Sequence, residues 1–184
     1  LEKSIIPRIE ALRELLGNDA NVLKAIRASF TILEDPLVYV ESNMYLLVSH
    51  GVPWPLVLKM FLIQPKVLLQ QTSRLSEIIA ELKLMGFSPS KYNVLFLLAM
   101  RTLTVRTKAL WQKKLEAYRS FGMSKDEVYL AFRMQPHCME ISVENIQKSM
   151  SFYIYKLKLK PSAISKHPNL MMFSIQKRIV PREY

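Results

Sequence analysis

The chain has four glycines, Gly17, Gly51, Gly86 and Gly122, and they lie 34, 35 and 36 residues apart (51−17, 86−51, 122−86). Other residues keep the same beat. Six past each glycine stand Leu23, Val57, Tyr92 and Val128, and nine past stand Ile26, Met60, Leu95 and Ala131. Fourteen past the second and fourth come Pro65 and Pro136, where the other two have Thr31 and Met100. Seventeen past the last three come Leu68, Leu103 and Met139. A fixed period near 35 with matching apolar columns is the signature of a helical solenoid, in which each unit buries its apolar face against the next. A single amphipathic all-α bundle would leave four matching columns to coincidence.

The clearest copy runs from Phe121 to Met139. Gly122 makes a turn, and Ser124 with Glu127 three residues on forms the S-x-x-E capping box that starts a helix. Val128, Ala131 and Phe132 follow at helical spacing. Pro136 stops the run, because proline lacks an N–H and clashes with the turn before it. Met139 then anchors the chain.

The predicted fold class is therefore an all-α helical-repeat solenoid, a superhelix of about five two-helix units. The expected bounds are 3–37, 38–72, 73–107, 108–143 and 144–180, within one repeat domain spanning 1–184. Asp19 is the expected cap of the first unit's second helix, and Asp35-Pro36 its stop. Ser88-Pro89 is expected to open the second helix of the third unit. In the fifth, Lys158 holds the glycine position and Pro161 starts a short helix that ends at Pro168. The ending Lys177-Arg178-Ile179-Val180-Pro181-Arg182 resembles the opening Lys3-Ser4-Ile5-Ile6-Pro7-Arg8, with Pro7 and Pro181 separated by 174 residues, close to five periods. The chain is thus expected to be a piece of a longer array.

Half of the residues are apolar, enough to bury a core, so disorder is not the default. The one cysteine, Cys138, excludes an internal disulfide and fits a reducing compartment. The longest apolar run, Val94–Met100, is far short of the ~20 residues that span a bilayer. No signal peptide is visible, though a chain that begins at Leu1 leaves that observation without force.

Charge is informative through its placement. Residues 1–73 hold seven Lys/Arg and seven Asp/Glu, whereas residues 74–184 hold nineteen against eight, the full +11. That asymmetry points to a polyanionic partner met mainly by the C-terminal units. An enzyme is not expected, and neither a cofactor nor a metal. His50, His137 and His167 are scattered, and His137-Cys138 has no second ligand pair. Asp126-Glu127 is accounted for by capping, and no phosphate-cradling glycine loop exists.

Among repeats of this length, tetratricopeptide units need a small residue twelve past the glycine, where Ile63, Leu98 and Met134 stand here. Pentatricopeptide units end in a repeated Gly-x-x-Pro that this chain lacks. The remaining pattern is carried by Leu16-Gly17, Met85-Gly86-Phe87-Ser88, Phe121-Gly122-Met123-Ser124, Gln64-Pro65-Lys66-Val67-Leu68, Gln135-Pro136, His167-Pro168-Asn169-Leu170 and the Lys177–Arg182 ending. In these the chain resembles the mitochondrial transcription termination factor (mTERF) family over its whole length, most of all the plant members. Met100 and Thr31 at the proline position and Lys158 at the glycine position depart from the pattern.

The resemblance implies a left-handed superhelix of about five helix–helix–3₁₀ units, whose basic groove holds double-stranded nucleic acid in a mitochondrion or chloroplast, affecting transcription termination, initiation or RNA processing. Some members evert bases onto Arg and aromatic side chains. The expected partner is double-stranded DNA, with RNA as the other nucleic acid; the chain is expected to act as a monomer on it, and no membrane is expected. The rival readings are an RNA-binding splicing or processing factor and a scaffold for an acidic protein.

Cations would act by neutralising phosphates and releasing counterions. The candidate nucleic-acid-binding residues are Arg101, Arg106, Lys108, Lys113, Lys114, Arg119, Arg133, Lys148, Lys156, Lys166, Lys177 and Arg178. Arg101 and Arg106 flank the expected final turn of the third unit. Tyr92, Tyr118, Phe132, Tyr153 and Tyr155 are candidate base-stacking aromatics, although all but Tyr155 sit at inward positions. Trp111, between Lys108 and Lys113, is the aromatic best placed beside basic residues.

Overall fold

A computed structural model describes residues 2–33, 37–89 and 94–173. Asp35-Pro36, Tyr92, Lys177 and Arg178 lie outside the described residues. Every regular element among the described residues is helical. The α-helices are α1 (Glu2–Leu16), α2 (Asp19–Ala28), α3 (Val38–Ser49), α4 (Trp54–Ile63), α5 (Thr72–Leu84), α6 (Val94–Val105), α7 (Lys108–Arg119), α8 (Lys125–Met134), α9 (Val143–Ser151) and α10 (Pro161–Lys166). Short 3₁₀ turns occupy Phe30–Leu33, Pro65–Val67, Pro136–Met139 and Pro168–Met172, and a π turn occupies Phe152–Lys156.

The chain divides into two compact units, Leu1–Thr104 and Val105–Tyr184. One stacking rule operates inside each. In the first, α3 packs on α5, α2 on α4, and the 30–33 turn on the 65–67 turn. In the second, α7 packs on α9, α8 on α10, and the 136–139 turn on the 168–172 turn. First helices meet first helices, second meet second, and third turns meet third turns. That is how repeats that cannot bury an apolar face alone build a continuous core.

Sequence punctuation explains the boundaries. Gly51 has φ 88°, and around it Gly51 N–H donates to Val48 O (2.8 Å) and Val52 N–H to Leu47 O (3.0 Å). This paired closure caps the end of α3 and needs a left-handed residue, which glycine supplies without a Cβ clash. Pro65, Pro136 and Pro168 each open a 3₁₀ turn just after a helix has stopped. The capping box forms as expected: Ser124 Oγ accepts from Glu127 N–H (3.1 Å), and Ser124 N–H donates to Glu127 Oε2 (2.8 Å).

Two local expectations fail for stated reasons. In the first repeat the cap is Asn18, whose side chain accepts from Asn21 N–H, and Asp19 is already helical. The helix therefore starts a residue early, so Val22 and Ala25 are buried while Leu23 is 56% exposed. In the third repeat, no proline interrupts the second helix. Met100 is fully buried within α6, which runs on to Val105 with no 3₁₀ turn after it. Thr102 and Thr104 return their hydroxyls to Leu98 O and Met100 O, both at 2.9 Å, so the extra turn satisfies its own polar groups.

A candidate nucleic-acid interface

Residues 105–184 carry fifteen Lys/Arg against six Asp/Glu, a net +9. The candidate interface is built on the first-helix layer of this unit. α7 begins at Thr107, whose hydroxyl accepts from Leu110 N–H (3.2 Å). Its inner face is Trp111, Lys114, Leu115 and Tyr118, all buried. Its outer face therefore presents Lys108, Gln112, Lys113, Glu116 and Arg119, all exposed. α9 begins at Ser142, which caps Asn145 N–H (3.2 Å). Ile146, Ser149 and Met150 face inward, leaving Glu144, Gln147 and Lys148 outside. Lys148 and Glu144 pair at 3.0 Å on the surface, where screening leaves little net attraction and a phosphate can compete.

The π turn that follows α9 aims Tyr155 and Lys156 outward. Tyr155 is 59% exposed and tilts against Phe121 with ring centroids 6.0 Å apart. It shares a shallow recess with Ser120, Phe121, Gln147, Lys148 and Ser151. A second recess next to it is lined by Lys148, Tyr155, Lys156 and the apolar Met171, Met172 and Phe173. Exposed Lys158 and Lys160 continue the run, and Lys166 is exposed at the end of α10. Lys158 and Lys160 lie outside the set of candidate cations, although the alternating Lys156-x-Lys158-x-Lys160 pattern is plain in the sequence.

The candidate cations thus separate. Lys108, Lys113, Arg119, Lys148, Lys156 and Lys166 are exposed on the second unit. Arg101 is half-buried on α6 of the first unit, and Arg133 is half-buried on α8 with partners of its own. Arg106 and Lys114 turn inward. Lys114 is 2% exposed, and its Nζ donates to Met139 O at 2.7 Å. Arg106 Nη2 donates to Glu140 O at 3.1 Å, and its Nε is shut off from solvent. Burial holds the Lys114 ammonium down to about 8, with Arg106 adding to the effect and Glu140 and Cys138 opposing it. Burial likewise pushes the Cys138 thiol up to about 12 and raises the Tyr118 phenol. Lys114 as a phosphate contact is therefore corrected: it lies on the apolar stripe 111–114–115–118, and that spacing was the available signal.

The aromatics separate too. Trp111 is buried and meets Phe132 edge-on with centroids 4.9 Å apart, so its place between lysines in the sequence gives it no surface role. Tyr118 and Tyr153 are buried and donate to Cys138 O and Leu170 O, both at 2.7 Å. Among the five named stacking candidates, Tyr155 is the described one that faces solvent.

Among the described residues no group of three or more His, Cys, Asp or Glu is arranged to hold a metal ion, and no helix is long and apolar enough to cross a membrane. No curated protein and no solved structure matches the chain. One family model does, mTERF, and it matches residues 1–184. With the repeat stacking, the left-handed glycine turns and the proline-led 3₁₀ turns in place, the chain belongs to the mTERF family, a helical-repeat family whose members bind nucleic acid in organelles.

Proposed function

We propose that this chain binds nucleic acid in a mitochondrion or chloroplast and regulates transcription there as a non-enzymatic factor, holding duplex DNA as a monomer. The carrying observation is the set of exposed cations on one layer of a strongly basic unit: Lys108, Lys113 and Arg119 on α7, Lys148 on α9 and Lys156 beyond it. Such cations follow a phosphate backbone by charge and carry little sequence information, so discrimination among sequences would come from elsewhere. We read residues 1–184 as one repeat array, with the near-neutral first 73 residues serving mainly to stack and the later units making the contact.

A second reading, single-stranded RNA, is favoured by exposed Tyr155 beside Lys148 and Lys156, since an aromatic face among cations suits unpaired bases. Parallel titrations with duplex DNA, duplex RNA and each single strand test both. Tightest binding to duplex DNA supports the first reading, and tightest binding to a single strand supports the second. Failure of every nucleic acid, and of heparin as competitor, would turn attention to an acidic protein partner.

A further inference from the structure

Three consecutive carbonyls, those of Cys138, Met139 and Glu140, are each taken by a different side chain from one stretch of chain. Tyr118 Oη donates to the first at 2.7 Å, Lys114 Nζ to the second at 2.7 Å and Arg106 Nη2 to the third at 3.1 Å. These carbonyls close the 136–139 turn. Two residues later Ser142 caps α9, the helix that carries Lys148. The lock therefore sits at the base of an exposed cation rather than beside one.

The first unit meets the same need without charge. Asn43 stands eight residues before Gly51, as Lys114 stands eight before Gly122. Asn43 is fully buried, and its Nδ2 donates to Leu68 O at 2.9 Å and Gln70 O at 2.7 Å. Leu68 and Met139 both lie seventeen residues past their glycines. What this position requires is a donor that reaches the turn, since a buried carbonyl left unpaired is costly. A positive charge is incidental to that task.

We propose that Lys114, together with Arg106, is a positioning residue for nucleic-acid binding, which fixes the turn that launches α9 and so places Lys148 without itself meeting a phosphate. The proposal rests on the nucleic-acid reading above. It makes a demand that a direct contact would not, namely that the charge at position 114 can be removed harmlessly if a donor remains.

The test uses the whole chain with Lys114→Asn, Lys114→Met and Lys148→Gln, and the double variant Lys114→Met with Lys148→Gln. Duplex DNA affinity is measured across a salt series, and amide exchange at residues 140–143 is measured without ligand. Lys114→Asn is expected to stay within about twofold of the parent and to keep its salt slope, because it removes no phosphate contact. Lys114→Met is expected to raise exchange at 140–143 and to weaken binding several-fold, with little further loss once Lys148 is already neutral. Equal weakening by Lys114→Asn and Lys114→Met, with a slope lower by about one, would overturn the proposal in favour of direct contact. Unchanged exchange in Lys114→Met would overturn the lock itself. A parent chain that binds no nucleic acid would overturn the functional reading and the positioning role with it, while the exchange data would still report whether the lock exists.

Discussion

Lys158 adopts the left-handed backbone, φ 56°, that Gly122 adopts at φ 90° one repeat earlier. The turn keeps its geometry although the residue that makes it easy has gone. The closure is also wider there, with Leu159 N–H reaching back six residues to Tyr153 O at 3.0 Å, in keeping with the π turn before it. An L side chain in this conformation costs roughly 1–2 kcal/mol, which glycine avoids. Lys158→Gly is therefore expected to stabilise the chain by about 1 kcal/mol after glycine's greater unfolded-state entropy is set against the relief. Chemical denaturation checks it. Gly122→Ala should do the reverse through backbone strain, since its new Cβ would make only ordinary contact, 3.5 Å, with Pro161 Cγ.

The capping box of α8 gives a second expectation. Ser124 and Glu127 satisfy two N–H groups that the helix cannot satisfy itself. Ser124→Ala should lower stability by about 1 kcal/mol, and Ser124→Asp should restore most of that, as read from denaturation midpoints.

The buried ammonium makes stability depend on pH with a defined sign. Folding holds Lys114 down to about 8, whereas an unfolded lysine keeps its proton to about 10.4. Above pH 8 the unfolded chain therefore binds more protons at this site, and the Lys114 contribution to stability rises with pH across that window. Cys138, pushed up to about 12, acts oppositely once pH passes the ordinary thiol range, because the unfolded thiol then ionises and the folded one does not. Comparing the parent with Lys114→Asn isolates the first effect. The variant is expected to lose the rise above pH 8 and to be at least as stable at pH 7, by on the order of 1 kcal/mol, because a buried charge has been removed while a donor remains. Equal pH profiles for the two proteins would contradict it.

Tyr118 supplies a further check on the turn lock. Tyr118→Phe keeps the ring but strips the donor from Cys138 O, leaving a buried carbonyl unpaired. A loss of roughly 1–3 kcal/mol is expected in denaturation, with the helical circular dichroism of the native state unchanged.

Much of this architecture is legible in the sequence because its punctuation is local. A glycine that must turn left and a proline that cannot donate announce themselves without knowledge of their neighbours. Hence the turns at Gly51, Gly86 and Gly122 and the 3₁₀ starts at Pro65 and Pro136 fall where the repeat places them, and Pro168 ends the short helix opened at Pro161 although it lies four residues ahead of the repeat's proline position. What the repeat does not carry is decided by tertiary burial. Met100 lets α6 continue because nothing chemical stops it, and Asn18 takes the cap from Asp19 by one residue. Lys114 looks like a surface cation by type, yet helical phase puts it between Trp111 and Tyr118 on the buried stripe. Phase outweighs residue type there because the ammonium finds a carbonyl at the end of its stem.

The most direct measurement is the salt dependence of duplex DNA binding by the whole chain, from about 50 to 200 mM, with and without neutralisation of the exposed cations. The parent is expected to lose affinity steeply as salt rises. Changing Lys108, Lys113, Arg119, Lys148 and Lys156 to Gln should flatten the slope by up to about four to five units. Neutralising exposed Lys24 and Arg27 in the first unit should leave the slope alone. A parent slope near zero, or one that the five changes do not alter, would contradict the account.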